Sequence, residues 1–162
     1  MDEEIRYTIN THEGGYNNVP GDAGGETKFG ISKAQYPNID IEHLTLDEAV
    51  KIYERDYWAP LLLDQITNVK VRWKIFDIAV NRGTVRAAMM VQGIVGVQQD
   101  GHFGPMTIAA INKMAPQDLV YKLSFAMIDH YVNRALKVPD QTKFLRGWVD
   151  RAMDFGDGLA SL

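Results

Sequence analysis

The sequence predicts a mainly α-helical protein, and three observations indicate this fold class. Apolar and aromatic residues recur at helical spacing, for example along residues 46–57. Thr45 precedes Glu48 by three positions and forms the sequence pattern of a capping box, which marks a helix start. Proline and glycine residues stand where helices are expected to begin and to end, respectively.

The elements follow from these signals in chain order. Ile5 and Ile9 lie on one face of a first helix, which should end near Glu13 because two glycines follow. Residues 27–32 can form a short extended piece or turn, including a short β-hairpin. The helix that starts at the capping box should end before Pro60, since the residue before a proline disfavours helical geometry.

Five further helices are expected in the remainder of the chain. They are 69–82 ending at Gly83, 84–95 ending at Gly96, Pro105 to about 114, Pro116 to about 136, and a last helix after Pro139-Asp140 that carries Phe144, Leu145, Trp148, Met153 and Phe155. These elements predict one compact domain with two lobes, residues 1–66 and 67–162, which meet near 62–68.

Composition excludes several classes of protein. The 162 residues are enough for one domain with a sizeable core, and a hydrophobic content of 46% is that of a soluble globular protein. The absence of cysteine excludes disulfides and cysteine-ligated metals. No apolar run has the length of a membrane span, and no dense basic stripe indicates nucleic-acid binding. The acidic start differs from a secretory signal, so we expect synthesis and folding in a cytoplasm.

The charge is unevenly distributed. Residues 1–56 hold 12 acids and 5 bases, whereas residues 57–162 hold 9 acids and 12 bases. Two interpretations stay open: ordinary scatter on solvated faces, or an acidic half that raises the pKa of a catalytic carboxyl beside a half that tolerates an anionic polymer.

The most informative segment is the glycine-rich stretch of residues 13–32. A loop of this kind can fold back tightly over the end of its own helix and bring Glu13, Asp22, Glu26 and Thr27 together. Cleavage of an acetal needs one acid to protonate the leaving oxygen and a second polar group to manage water or positive charge. These four residues are therefore candidates for such a site.

Structural alternatives exist for each of these residues. Asp22 can bond to the backbone of its own loop, Glu26 can pair with Lys28 or Arg82, and Thr27 can be a turn residue. A zinc helix of the form His-Glu-x-x-His is excluded because Tyr16 stands where the second histidine is required. We expect no metal and no cofactor.

A second polar pattern lies in the helix expected at 69–82. Asp77 and Asn81 are four residues apart and share a helical face, where they can stabilise the helix or line a groove that binds sugar amides and hydroxyls. Tyr16 is one of several aromatics that can either fill the core or contact the apolar face of a sugar ring.

Together these motifs resemble a known family. The string Glu-Gly-Gly-Tyr-x-Asn-x-Pro-x-Asp-x-Gly-Gly-x-Thr-x-Phe-Gly-Ile-Ser, at residues 13–32, resembles the signature of glycoside hydrolase family 108. Residues 77–83 are similar to that family's Asp-x-Ala-Val-Asn-x-Gly. The segment from Gln92 onward, including residues 144–148 and Arg151, resembles its C-terminal peptidoglycan-binding segment.

The resemblance implies a lysozyme-like fold and an N-acetylmuramidase of the phage endolysin type. The bond cleaved would join N-acetylmuramic acid to N-acetylglucosamine, with Glu13 as catalytic acid, Asp22 as the ionised partner and Thr27 assisting. Tyr16, Glu26, Asp77 and Asn81 would bind substrate. The implied partner is peptidoglycan, and a monomer would reach it from the host cytoplasm after release through a holin.

Two rival functions are kept. A lytic transglycosylase also uses a single glutamate but leaves an anhydro-muramic end. A non-catalytic wall-binding or secretion-accessory protein would bind peptidoglycan without releasing fragments.

Overall fold

A computed structural model describes residues 1–18 and 25–161 and confirms the mainly α-helical fold. The α-helices are α1 (Asp2–His12), α2 (Leu46–Tyr53), α3 (Val69–Arg82), α4 (Thr84–Val95), α5 (Pro105–Lys113), α6 (Pro116–Lys137) and α7 (Leu145–Ala152). Strands β1 (Thr27–Lys28) and β2 (Ile31–Ser32) form an antiparallel hairpin. Short helical turns cover Glu54–Trp58, Ala59–Leu61, Leu63–Gln65, Pro139–Phe144 and Asp157–Ser161.

The chain divides into two compact units, Met1–Asp56 and Tyr57–Leu162. The lobe boundary expected from the sequence, between residues 66 and 67, lies further along the chain than this division. Among the described residues, no helix has both the length and the apolar character needed to span a membrane.

In the first unit, α1 packs against α2, and the predicted apolar face of α1 is buried through Ile5 and Ile9. The predicted capping box is formed at the start of α2. The Thr45 hydroxyl accepts the backbone N–H of Glu48 at 3.3 Å, and the Glu48 carboxylate accepts the backbone N–H of Thr45 at 2.8 Å. As predicted, α2 ends before Pro60.

The hairpin of the first unit turns on two residues with left-handed backbone geometry. Lys28 pairs with Ile31, and the two residues between them, Phe29 and Gly30, have φ angles of 54° and 75°. Two positive φ angles give the turn a twist that matches that of the flanking strands. Glycine adopts this geometry freely, whereas phenylalanine is held there at a cost of about 1–2 kcal/mol.

The second unit is built around α3, which packs against α4 and α6, while α6 packs against α7. Every residue of α3 from Trp73 to Ala79 is buried, including Lys74 and Asp77. As predicted, α3 and α4 end at Gly83 and Gly96.

The two buried charges of α3 hold the chain at the end of α7. The Lys74 ammonium donates to the carbonyls of Ala152 and Asp154, each at 2.8 Å, and burial lowers its pKa. The Arg151 guanidinium donates to the Asp77 carboxylate at 3.0 Å through Nε. Both charges therefore have the partners that a buried charge requires.

The extent of the last helix differs from the prediction. Of the five residues expected on it, only Leu145 and Trp148 lie within α7; Phe144 ends the preceding 3-10 helix, and Met153 and Phe155 follow α7. At the end of α7 and just beyond it, the carbonyls of residues 152 and 154 accept hydrogen bonds from the side chain of Lys74, which is 78 and 80 residues away in sequence. The periodicity of apolar residues in the sequence gives no information about a hydrogen bond from Lys74, which is distant in sequence.

Candidate active site

Glu13 stands at the point where the chain leaves α1. It caps the helix with φ −110° and ψ 121°, and its N–H still donates to the carbonyl of Ile9 at 3.2 Å. Its extended backbone takes the chain away from the helix, and its side chain is half-buried. Glu13 is thus fixed at the C-terminal end of a packed helix rather than on a free loop.

The hairpin returns to the segment that follows Glu13. The N–H of Phe29 donates to the carbonyl of Gly14 at 3.1 Å. Asn17 and Thr27 exchange backbone hydrogen bonds of 2.8 and 2.9 Å as an isolated antiparallel bridge. The described residues on the two sides of positions 19–24 therefore meet near the end of α1, in agreement with the predicted fold-back.

The hairpin turn provides the surface on which the Glu13 carboxylate packs. A Cβ atom added to Gly30 would lie 2.5 Å from Oε2 of Glu13 and 3.0 Å from its Cδ, and it would also overlap the hydroxyl of Tyr53. Real Cβ atoms do not approach other atoms this closely. The carboxylate and the hydroxyl thus share the space that the missing side chain of Gly30 leaves open.

Tyr53 is a site residue that the sequence did not identify. Its side chain is 2% exposed at the end of α2, and its hydroxyl donates to the carbonyl of Phe29 at 2.8 Å. The sequence placed Tyr53 only in the apolar stripe of α2. A usable signal was present, because a buried tyrosine normally needs a partner for its hydroxyl.

Replacing Tyr53 with phenylalanine should lower both stability and activity. The change removes the hydrogen bond to Phe29 and leaves that carbonyl without its tyrosine donor, so we expect a loss of about 1 kcal/mol in unfolding free energy. The turn that supports Glu13 would loosen, and we expect the hydrolase activity implied by the family resemblance to fall by about tenfold. Chemical denaturation measures the first effect, and turbidity clearance of purified cell walls measures the second.

Tyr36→Phe is the matched control for this variant. It removes the hydrogen bond of 2.7 Å to Asp56, which belongs to the same unit and lies outside the hairpin turn. We expect it to lose stability and to keep its activity. Equal losses of activity in the two variants would contradict a positioning role for Tyr53.

Tyr16 and Glu26 lie close together near the hairpin. The Tyr16 hydroxyl donates to Oε1 of Glu26 at 3.4 Å and accepts from the Asn18 amide at 3.4 Å, both long contacts. Tyr16 is 44% exposed and so presents an aromatic ring to solvent. Lys28, a possible partner of Glu26, instead donates to the carbonyl of Glu42 at 2.7 Å.

Of the other two predicted catalytic residues, Thr27 lies within the described part of the chain and Asp22 lies outside it. Thr27 is half-buried in β1, and its hydroxyl donates to the carbonyl of Gly25 at 3.4 Å. Asp22 lies outside the described residues, so its role stays a prediction.

Asp77 and Asn81 belong to the second unit. Asp77 is 2% exposed and is engaged by Arg151, an arrangement that stabilises the fold. Asn81 is exposed and lines a cleft of about 670 Å³. The predicted substrate contacts of both residues stay predictions.

Within residues 1–18 and 25–161, no group of three or more histidine or acidic side chains is arranged to hold a metal ion. The chemistry available around Glu13 is that of a carboxyl group, a phenol and backbone amides. This set is suited to proton transfer and to binding of hydroxyl-rich ligands.

Comparisons with known proteins give two family matches and a similar solved structure. Residues 6–83 match the family model described as glycosyl hydrolase 108, and residues 86–153 match the model described as a predicted peptidoglycan domain. The chain is also similar to the solved structure of SagA from Brucella abortus, with 29% sequence identity and a TM-score of 0.79. That similarity covers 99% of this chain and 94% of the SagA chain. No curated protein sequence matches this chain.

Proposed function

We propose that this chain, whose residues 6–83 belong to the glycosyl hydrolase 108 family, is an N-acetylmuramidase with Glu13 as general acid. The match of residues 86–153 to the predicted peptidoglycan domain family supports peptidoglycan as the substrate. The observation that carries the proposal is the packing of the Glu13 carboxylate against Gly30 beside the Tyr53 hydroxyl. A general acid must be held in one geometry to protonate a glycosidic oxygen efficiently.

We propose that the position of Glu13 at the end of α1 helps it to keep its proton until the substrate is cleaved. The carbonyl groups at a helix C-terminus carry partial negative charge, which disfavours a further negative charge nearby. The half-buried setting acts in the same direction, because burial disfavours ionised groups. Both effects suit a carboxyl group that must hold a proton until the leaving oxygen accepts it.

The reaction proceeds by proton transfer from Glu13 to the oxygen that bridges the two sugars. As that bond breaks, positive charge develops on the ring that loses the oxygen, and an ionised carboxylate stabilises it or positions water. Asp22 is our candidate for this second group, with Glu26 as the alternative, and Thr27 assists. Tyr16, with its exposed ring, offers a surface for the apolar face of a sugar.

Product analysis tests the proposal directly. Purified peptidoglycan is digested with the protein, and the released fragments are analysed by mass spectrometry before and after borohydride reduction. We expect reducing N-acetylmuramic acid ends. Anhydro-muramic ends would indicate a lytic transglycosylase, reducing N-acetylglucosamine ends would indicate another glycosidase, and binding without release would indicate an accessory protein. A role in lysis of a bacterial host, with release through a holin, stays the expectation drawn from the family resemblance.

A further inference from the structure

The second unit contains a cleft lined by cationic side chains. Its lining residues come from the end of α3, the start of α4, α6 and the start of α7, and they are Asn81, Arg82, Arg86, His130, Tyr131, Asn133, Arg134, Lys137, Val138 and Trp148. None of them is acidic. The cleft has a volume of about 670 Å³, which is enough for a ligand of several residues or sugars.

The fold brings these cations together through two helical features. Arg82 ends α3 and Arg86 lies in the first turn of α4, and Gly83 between the helices makes the bend with a φ of 84°. On α6, His130, Arg134 and Lys137 follow at intervals of four and three residues and so share one helical face. Three helices, α3, α4 and α6, thus contribute charge of the same sign.

Most of this charge is left without a counter-ion inside the protein. Within the part of the chain that the structure describes, Arg82, Arg86 and Lys137 make no salt bridge. The electrostatic surroundings agree: burial and then Arg86 lower the pKa of Arg82, and the pKa of His130 is lowered by burial and then by Arg82, Arg134 and Arg86. Asp129 opposes this effect on His130 without cancelling it.

Part of the cleft is held rigidly before any ligand binds. Trp148 stacks on Tyr131 with ring centres 5.2 Å apart, and the Arg134 guanidinium lies 5.5 Å from the Trp148 ring. Arg134 also donates to the side chain of Gln141 at 2.5 Å. Tyr131 is 3% exposed, and its hydroxyl has no hydrogen-bond partner among the described residues. An unused donor at a buried wall of a cationic cleft is suited to an anionic group of a ligand.

We propose that this cleft binds the carboxylates of the peptide stems that branch from the glycan strands of peptidoglycan. That the ligand belongs to peptidoglycan rests on the proposed function. That the ligand is anionic follows from the cationic lining of the cleft alone. Arginine pairs with carboxylates through parallel hydrogen bonds, and the tryptophan and amide groups can contact the peptide backbone between the charges. In this arrangement the second unit recognises the stems and the first unit acts on the glycan.

The test compares two double variants with equal loss of charge. Arg86→Gln with Lys137→Gln removes two exposed cations of the cleft, and neither side chain makes a salt bridge in the described structure. Lys113→Gln with Lys122→Gln removes two exposed cations of the same unit that do not line the cleft. Both are combined with Glu13→Gln for binding measurements, so that the polymer is not digested.

Binding is measured on two polymers, in the absence and in the presence of two competitors. Sacculi of a Gram-negative bacterium carry stems and no phosphate polymer, and the same sacculi treated with an amidase carry glycan without stems. Inorganic phosphate and glutarate serve as competitors. We expect the cleft variant to bind intact sacculi about tenfold more weakly than the control variant, which should match the parent. All three proteins should bind stem-free glycan equally weakly, and glutarate should compete better than phosphate.

Several results would overturn the proposal. These are equal weakening in both double variants, equal binding of the parent to stem-bearing and stem-free glycan, and stronger competition by phosphate than by glutarate. Digestion of stem-free glycan by proteins that retain Glu13 separates this proposal from the proposed function. We expect the cleft variant to digest it like wild type; failure of wild type to digest any glycan would refute the hydrolase mechanism and leave the binding comparison valid.

Discussion

Replacing Glu13 with glutamine is expected to lower peptidoglycan hydrolysis by about a hundredfold or more. Glutamine keeps the shape of the side chain that packs on Gly30 but has no acidic proton to give to the glycosidic oxygen. The leaving group must then depart as an alkoxide or take its proton from water. Release of soluble muropeptides from labelled cell walls measures the rate over the required range.

The matched control for this variant is Glu3→Gln. It makes the same change of a carboxyl to an amide at the opposite end of α1, where Glu3 is an exposed residue of the first turn. We expect full activity, with a small loss of stability because an acidic group at a helix N-terminus is favourable. If Glu13→Gln retained half of the wild-type rate while remaining folded, the assignment of Glu13 as general acid would have to be abandoned.

Replacing Gly30 with alanine is expected to disrupt the site although it removes no polar side chain. The new methyl group would meet the Glu13 carboxylate and the Tyr53 hydroxyl, and the φ of 75° is unfavourable for alanine. We expect a loss of about 1–3 kcal/mol in unfolding free energy from strain and displacement. A shift of the acid by about 1 Å is enough to lower the rate by about a hundredfold.

Gly25→Ala separates the two causes. Gly25 also has a positive φ, 65°, but an added Cβ would lie only in ordinary contact, 3.7 Å from the Cβ of Lys33. We expect this variant to lose stability from strain and to keep most of its activity. Denaturation curves and initial rates on the same wall preparation provide the comparison. Equal rates in the two variants would show that the space at Gly30 is not needed to position Glu13.

The local part of the fold could be predicted from the sequence because its signals are local. Gly83 and Gly96 end helices, Pro105 and Pro116 begin them, and the capping box at Thr45 is formed as expected. Each of these signals acts within one helical turn. The fold-back of the glycine-rich segment onto the end of α1 was also predictable, since glycines supply the required backbone freedom.

The contacts that define the candidate site depend on residues distant in sequence. The Tyr53 hydroxyl reaches Phe29 across 24 residues, and Asp77 meets Arg151 across 74. The four-residue spacing of Asp77 and Asn81 correctly placed Asp77 on a helical face, but it did not predict that Arg151 would bind this carboxylate. The left-handed geometry of Phe29 could not be predicted either, because no residue next to it in sequence indicates that a phenylalanine will adopt a strained backbone conformation.

The clamp of Lys74 on the carbonyls after α7 affects how this protein can be divided into fragments. The peptidoglycan-domain match covers residues 86–153, yet the helix on which α4 and α6 pack, Val69–Arg82, precedes that range. A polypeptide cut to the matched range would lose its central helix. One that kept this helix but stopped at residue 153 would remove the Asp154 carbonyl, one of the two acceptors that lie 2.8 Å from the Lys74 ammonium, and would leave this buried charge with fewer partners. Boundaries for expressing the wall-binding half alone should therefore follow the folded unit that starts at Tyr57 and should retain the turns beyond α7.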